Sequence, residues 1–213
     1  MFAGVYITKG TNMKNVVLFC TGLSGSGKSY FIEHNLSPKA FHNLKSATTR
    51  DKREKEQDDC EYYFRDETYF DTEKFVTKLW VNKQIWVPGT KKWLYGVPEF
   101  EVWNNLGYNF AYDVIEPKYV RQMIEWFKQK RLNYFYDFKV LFFQPNPNNQ
   151  KIVESRQNMP NDALIRKMNT CTMKDFNAVH LSPDYQLLNT KEKQMIDAGL
   201  LKLIQELNKM KIN

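Results

Sequence analysis

Short apolar runs alternate with stretches of helical spacing along the chain. Residues 16–21 read VVLFCT and residues 138–143 read FKVLFF, and runs of this kind are typical of buried parallel strands. Further strands are predicted at 84–87, 93–97, 108–114 and 178–181. Helices are predicted at 28–36, 68–81, 149–156, 161–175, 191–210 and from Pro117 onward. This alternation predicts an α/β fold in which helices flank a mostly parallel sheet.

A phosphate-binding motif follows the first predicted strand. Residues 22–29 read GLSGSGKS, which satisfies GxxxxGK[ST] between a strand and a helix. The loop's backbone N–H groups would bind phosphates, Lys28 would reach the outer phosphates, and the Ser29 hydroxyl would bind Mg²⁺. The motif therefore predicts a P-loop site for ATP and Mg²⁺. The candidate ATP-binding residues are Ser24, Gly25, Ser26, Gly27, Lys28, Ser29 and Tyr30, with Ser29 as the metal ligand.

The charged stretch at 46–64 reads SATTRDKREKEQDDCEYYF. With the P-loop, it resembles the guanylate kinase family, whose signature continues with S-x-TTR-x-x-R, an acid and Tyr-x-Phe. The resemblance implies a P-loop NTPase fold with an inserted monophosphate-binding lobe at 45–105. Arginine forks suit the binding of a phosphate dianion. The implied substrate-binding residues are Ser46, which would contact the base, and Arg50, Arg53, Glu56, Tyr62 and Tyr95.

The same resemblance implies a lid at 145–166 that supplies positive charge over the migrating phosphoryl group. Arg156 matches the lid arginine, and either Arg166 or Lys167 matches a later one. The candidate catalytic residues are thus Lys28, Arg53, Arg156 and Arg166. Asp113 ends a predicted strand and has two interpretations: a water-bridged Mg²⁺ ligand, or an acid that contacts the acceptor base.

The domain organisation follows from this layout. One P-loop kinase domain is expected over 1–213, with residues 1–12 as an extension and a core formed by 13–44 and 106–213.

The resemblance fails at base recognition. The family has a Glu upstream of its Tyr-Gly, but counting back from Tyr95 places that position on Trp86, and the family's following Ser or Thr is Val97 here. Guanine donors without a carboxylate partner would cost about 1–3 kcal/mol each. The sequence therefore favours a nucleoside monophosphate kinase in general over a guanylate kinase. A shifted alignment could restore a carboxylate, so guanine stays open.

Composition adds coarse limits. The net charge of +7 suits anionic partners such as nucleotides, while no run of consecutive basic residues marks a nucleic-acid-binding tail. The three cysteines lack metal-site spacing and are interpreted as free thiols of a cytoplasmic protein. No apolar run is long enough for a transmembrane helix.

Three functions remain open at this point. The first is a kinase that transfers the ATP γ-phosphoryl group to (d)GMP or a related (d)NMP. The second is a P-loop kinase that acts on a modified base, for example on a hydroxymethyl group in DNA. The third is a non-catalytic guanylate-kinase-like binding module, which the intact P-loop disfavours.

Overall fold

The computed structural model describes residues 14–22, 26–52, 54, 56–60, 62–81, 93–114, 116–144, 173–189, 194–195 and 198–209. The proposed lid at 145–166 and the extension at 1–12 lie outside these residues. Arg53, Arg156, Arg166, Lys167, Ser24, Gly25 and Trp86 do so as well.

A mostly parallel sheet forms the centre of the molecule. In the described residues its strands run in the order β10-β9-β8-β1-β7-β2, and each neighbouring pair is parallel except β9 and β10. Its strands are β1 (Asn15–Gly22), β2 (Phe41–Asn43), β7 (Asn109–Val114), β8 (Tyr136–Phe143), β9 (Tyr185–Asn189) and β10 (Gln194–Met195). The predicted α/β fold with a mostly parallel sheet is confirmed.

Helices cover both faces of this sheet. Successive side chains of β1 point to opposite faces, so they join two different core clusters. Val17 and Phe19 join the cluster packed against α4, whereas Leu18 and Cys20 join the cluster packed against α1 and α6. The helices in question are α1 (Lys28–Asn35), α4 (Pro117–Gln129), α5 (Met173–Ala178) and α6 (Ala198–Lys209). The apolar stripe of the last helix docks on the core as its spacing predicts, since Leu200 and Leu207 are buried.

A second, smaller sheet lies within the region predicted to be the lobe. Its strand order is β4-β3-β6-β5, with β3 and β4 parallel and the other pairs antiparallel. The elements are β3 (Ser46–Thr48), β4 (Tyr62–Phe64), α2 (Glu67–Thr72), β5 (Phe75–Val81), β6 (Trp93–Pro98) and α3 (Glu99–Trp103). A short 3₁₀ turn, Leu132–Tyr134, precedes β8 in the main sheet.

Two predicted elements are wrong, and so is the start of a third: the helix expected at 191–210 begins only at Ala198, after the strand β10. The helix expected at 68–81 ends at Thr72, and β5 begins at Phe75, because the aromatic and β-branched residues there pair with β6. The strand expected at 178–181 is instead the end of α5 and a turn. The strand of that region is β9, which pairs with β8 and buries Leu187.

Candidate active site

The end of β1 and the start of α1 form the P-loop side of the site. Gly27 caps α1 with a φ of 94°, a left-handed conformation that glycine adopts without steric cost. Lys28 is only 5% exposed, and its Nζ donates to the Gly22 carbonyl oxygen at 3.0 Å. The lysine ammonium is therefore held beside the end of β1, where the P-loop motif predicts that it reaches the outer phosphates of a nucleotide.

Asp113, at the end of β7, contacts both P-loop side chains. The Ser29 hydroxyl donates to Asp113 Oδ2 at 2.9 Å, and Lys28 Nζ lies 3.5 Å from Asp113 Oδ1. A hydroxyl and a carboxylate are hard oxygen donors of the type that Mg²⁺ prefers, and Mg²⁺ usually keeps several of its waters. Ser29 and Asp113 are thus the described residues that would hold Mg²⁺ beside the phosphates of a nucleotide. This geometry favours the metal interpretation of Asp113 over a contact with the acceptor base.

Cys20 on β1 is the register partner of Asp113 on β7. Burial, with a further contribution from the Asp113 charge, raises the pKa of the Cys20 thiol far above its usual range. The thiol is therefore a neutral core side chain. Cys20 and Cys60 are both free, in agreement with the prediction for these two cysteines.

Arg50 is the centre of a second cluster, on the lobe. It is 6% exposed; its Nη2 donates to Glu56 Oε1 at 2.8 Å and its Nε donates to the Tyr95 hydroxyl at 3.2 Å. The guanidinium carbon lies 5.4 Å from the ring centroids of both Tyr62 and Phe64. We call Arg50, Glu56, Tyr62, Phe64 and Tyr95 the arginine clamp.

The electrostatics of the clamp keep Arg50 charged. Burial alone would lower the pKa of Arg50, but the hydrogen bond and charge of Glu56, together with Tyr95, raise it. Burial raises the pKa of the Tyr62 phenol far above its usual range, and the neighbouring Tyr95 and Asp113 add to the effect. The clamp therefore presents a permanent cation beside the neutral phenol of Tyr62. The clamp is close to the P-loop side, because Ser46, the register partner of Tyr62, lies 3.0 Å from the hydroxyl of Tyr112, which precedes Asp113 on β7.

The sequence-predicted residues are thus brought together in part. Arg50, Glu56, Tyr62 and Tyr95 form one cluster, and Lys28, Ser29 and Asp113 form another. Tyr30 follows Ser29 on α1 but is 56% exposed, and its ring stacks on His34 at 3.8 Å between centroids.

Tyr112 is a residue that the sequence analysis missed. It is buried on β7 beside Asp113, and its hydroxyl lies 3.0 Å from the hydroxyl of Ser46, the residue that was expected to contact the base. Nothing in the run YNFAYDV distinguishes this tyrosine from an ordinary core residue. Only the proximity of β7 to β3 reveals it.

Comparisons with known proteins support the architecture. No family model matches the sequence, and no curated protein matches it. Among solved structures, the chain is similar to the guanylate kinase from Anaplasma phagocytophilum at 16% identity, over 92% of this chain and 83% of that chain, with a TM-score of 0.51. At this identity the similarity shows the fold alone.

The chain has a guanylate-kinase-like fold. Lys28 and Ser29 begin α1, the helix that follows the first strand of the central sheet. In the described part of the chain, no helix combines the length and apolar character needed to cross a membrane.

Proposed function

We propose that the chain is an ATP-dependent kinase that transfers the γ-phosphoryl group of ATP to a nucleoside or deoxynucleoside monophosphate. The observation that carries this proposal is the proximity of two sites for anions. Lys28 contacts Asp113 at the P-loop on one side, and Arg50 lies in the clamp on the other. The two sides meet where the hydroxyl of Ser46, the register partner of the clamp residue Tyr62, lies 3.0 Å from the hydroxyl of Tyr112, which precedes Asp113 on β7.

Each side has a distinct task in the proposed reaction. Lys28 and the loop's N–H groups hold the ATP phosphates, and the guanidinium of Arg50 holds the phosphate of the acceptor, since a rigid fork fixes the direction of a dianion. An oxygen of the acceptor phosphate then forms a bond to the γ-phosphorus, and the bond between that phosphorus and the β–γ bridging oxygen breaks to release ADP. Bound at Ser29 and Asp113, Mg²⁺ would offset the charge of the ATP phosphates. Arg53, Arg156 and Arg166 are proposed to add positive charge around the transferred group.

A panel of ribo- and deoxyribonucleoside monophosphates tests this function, with ADP release measured in the presence of ATP and Mg²⁺. We expect transfer to at least one monophosphate and a loss of about 1000-fold or more in kcat/KM for Lys28→Met. Lys39→Met is the matched control, because Lys39 is exposed just beyond α1.

Failure to phosphorylate any monophosphate would overturn the proposal. Transfer of labelled phosphate to DNA but not to free monophosphates would instead support the polymer as acceptor. If calorimetry showed that ATP does not bind, the chain would be a non-catalytic module.

A further inference from the structure

Four buried, neutral residues lie where the small sheet packs on β7, and two of them, Val97 and Tyr112, belong to the main hydrophobic core. Thr77 on β5 and Val97 on β6 are register partners, and Ser46 on β3 meets Tyr112 of the central sheet. Their exposed fractions are 7% for Ser46, 4% for Thr77 and Tyr112, and 0% for Val97. We call Ser46, Thr77, Val97 and Tyr112 the neutral wall.

This wall adjoins the arginine clamp. Ser46 is the register partner of the clamp residue Tyr62, and Val97 lies two positions from Tyr95 along the same strand, so that both side chains point to one face of the sheet. Tyr112 also contributes to the raised pKa of Tyr62. A nucleotide whose phosphate is bound by Arg50 would therefore direct its base toward the wall.

The carboxylates nearest to the wall along the chain are engaged elsewhere. Asp113 follows Tyr112, but its two oxygens contact Ser29 and Lys28 at the P-loop. Two glutamates follow β6. Glu99 Oε1 accepts a hydrogen bond from Trp126 Nε1 at 2.9 Å and lies 3.3 Å from Lys130 Nζ. Glu101 accepts hydrogen bonds from His42 Nε2 and the Lys45 amide. Within the described residues, the polar groups that the wall itself supplies are hydroxyls.

The hydroxyls of the wall are neutral and incompletely bonded. Burial raises the pKa of Tyr112 to about 12, against the lowering effect of the Ser46 hydrogen bond, so the phenol keeps its proton. The Thr77 hydroxyl is near enough to lower the pKa of Tyr112, yet it makes no well-aligned hydrogen bond with another described residue. A buried hydroxyl in this state is costly and is a suitable partner for a polar group of a ligand.

The chemistry of neutral hydroxyls separates one class of base from another. A hydroxyl donates one hydrogen bond and accepts others, so it suits ring carbonyl and ring nitrogen groups. Guanine adds a 2-amino donor beside its N1–H, and a carboxylate satisfies that pair with charge-assisted bonds about twice as strong as neutral ones. The neutral wall carries no charge. A 2-amino group buried against it would lose its hydrogen bonds to water and would gain no protein hydrogen bond of equal strength.

We propose that the acceptor is a nucleoside monophosphate whose base lacks a 2-amino group, and that Tyr112 and Thr77 set this preference through their hydroxyls. The inference rests on the proposed function, since it concerns the acceptor of that reaction.

The sharpest test compares IMP with GMP, because these nucleotides differ only in the 2-amino group. We expect kcat/KM for IMP to equal or exceed that for GMP in the unmodified protein. A preference for GMP of ten-fold or more would overturn the inference while leaving the kinase function intact. A protein that phosphorylates neither these nor any other monophosphate would instead overturn the proposed function.

Variants then assign the preference to named residues. Thr77→Glu introduces a carboxylate opposite Val97 and should raise the GMP-to-IMP ratio of kcat/KM by about ten-fold or more. Tyr112→Phe keeps the ring and removes the hydroxyl; it should raise KM for the best monophosphate by about ten-fold with little change in kcat. Tyr136→Phe is the control. Tyr136 begins β8, away from the wall, and its hydroxyl accepts a hydrogen bond from the Gly107 amide.

A ligand that has a phosphate but no base tests whether a variant has lost recognition of the base or has lost its fold. Binding of ribose 5-phosphate, measured by calorimetry, should be unchanged in Tyr112→Phe, since that ligand meets the clamp but not the wall. If Thr77→Glu fails to fold, Thr77→Val serves in its place and should raise KM as Tyr112→Phe does. Unchanged KM values in both Tyr112→Phe and Thr77→Val would contradict the assignment.

Discussion

The arginine clamp and the neutral wall are neighbours on one small sheet, but they are built from opposite chemistry. The clamp holds a buried guanidinium that is bonded to Glu56 at 2.8 Å and lies over two aromatic rings. The wall holds hydroxyls and a valine, with Tyr112 kept neutral by burial. One end of the site is thus suited to a doubly charged phosphate and the other to an uncharged ring.

This difference shows how one lobe can separate affinity from selectivity. A charge-assisted fork supplies strong binding to any phosphate, whatever the base, because charged hydrogen bonds are the stronger ones. Neutral hydroxyls add less binding free energy, but they discriminate between bases. A base that leaves a buried polar group without a hydrogen bond loses more free energy than a well-matched base gains from that bond. Changes in the clamp should therefore affect all acceptors equally, and changes in the wall should alter their ranking.

The largest expected effect tests the clamp. Arg50→Lys keeps the charge but removes the fork that contacts Glu56 and Tyr95, so kcat/KM should fall about 100-fold for every monophosphate, without a change in their order. Steady-state kinetics across the panel would measure this.

Arg65→Lys is the matched control for this experiment. Arg65 is also a lobe arginine paired with acids, Asp58 and Asp59, but those carboxylates are exposed to solvent, so activity should stay within about two-fold. If Arg50→Lys changed the order of the acceptors, the division between clamp and wall would be wrong.

The two regions also differ in how far the sequence predicts them. Arg50, Glu56 and Tyr62 lie within one short stretch, so a local pattern was enough to group them, and the structure brings them together with Tyr95. The P-loop is local in the same way. The fold class followed from the alternation of strands and helices, and it too is confirmed.

The wall could not be predicted, because it depends on strand register. Counting back from Tyr95 along the chain reached Trp86, whereas pairing across the sheet places Thr77 opposite Val97. Trp86 lies between β5 and β6, outside the described residues, so counting along the chain could not identify the residue that meets Val97 across the strands. Residues 75–81 were also predicted to be helical. Because a helix has no cross-strand partners, the pairing of Thr77 with Val97 could not be predicted.

The second expected effect concerns the opposite face of the lobe. Glu101 is 2% exposed and accepts hydrogen bonds from His42, Tyr63 and the Lys45 amide. Glu101→Gln should lower the free energy of unfolding by about 2 kcal/mol, because buried donors lose a charged acceptor. Urea denaturation would measure the loss, and the ratio of acceptor activities should not change, since Tyr63 points away from the clamp.

The pH dependence gives this prediction a second readout. Burial acts to raise the pKa of Glu101, but the hydrogen bonds from His42, Tyr63 and Lys45 lower it overall. A lowered carboxyl pKa stabilises the fold above the unfolded value of about 4.3, and this contribution is lost as the pH falls through the folded value. The stability gap between the natural protein and Glu101→Gln should therefore be full above about pH 5.5, and over the window below that pH it should shrink as the pH falls through the folded pKa of Glu101. A gap that stayed constant over this window would contradict the role assigned to the carboxylate.

The smallest expected effect is that of Phe64→Leu, which tests how much the aromatic ring beneath Arg50 contributes to the clamp. Phe64 supplies one of the two rings beneath Arg50, at 5.4 Å, and contributes no hydrogen bond from its side chain. Phe64→Leu keeps most of the apolar volume and removes the ring, so it should cost about 0.5–1 kcal/mol, or a two- to five-fold increase in KM for every monophosphate. Kinetics across the same panel would detect a uniform increase, with IMP and GMP shifted equally. A selective effect on one base would mean that the clamp itself takes part in base discrimination, because the ring would then be acting on the nucleotide and not on Arg50.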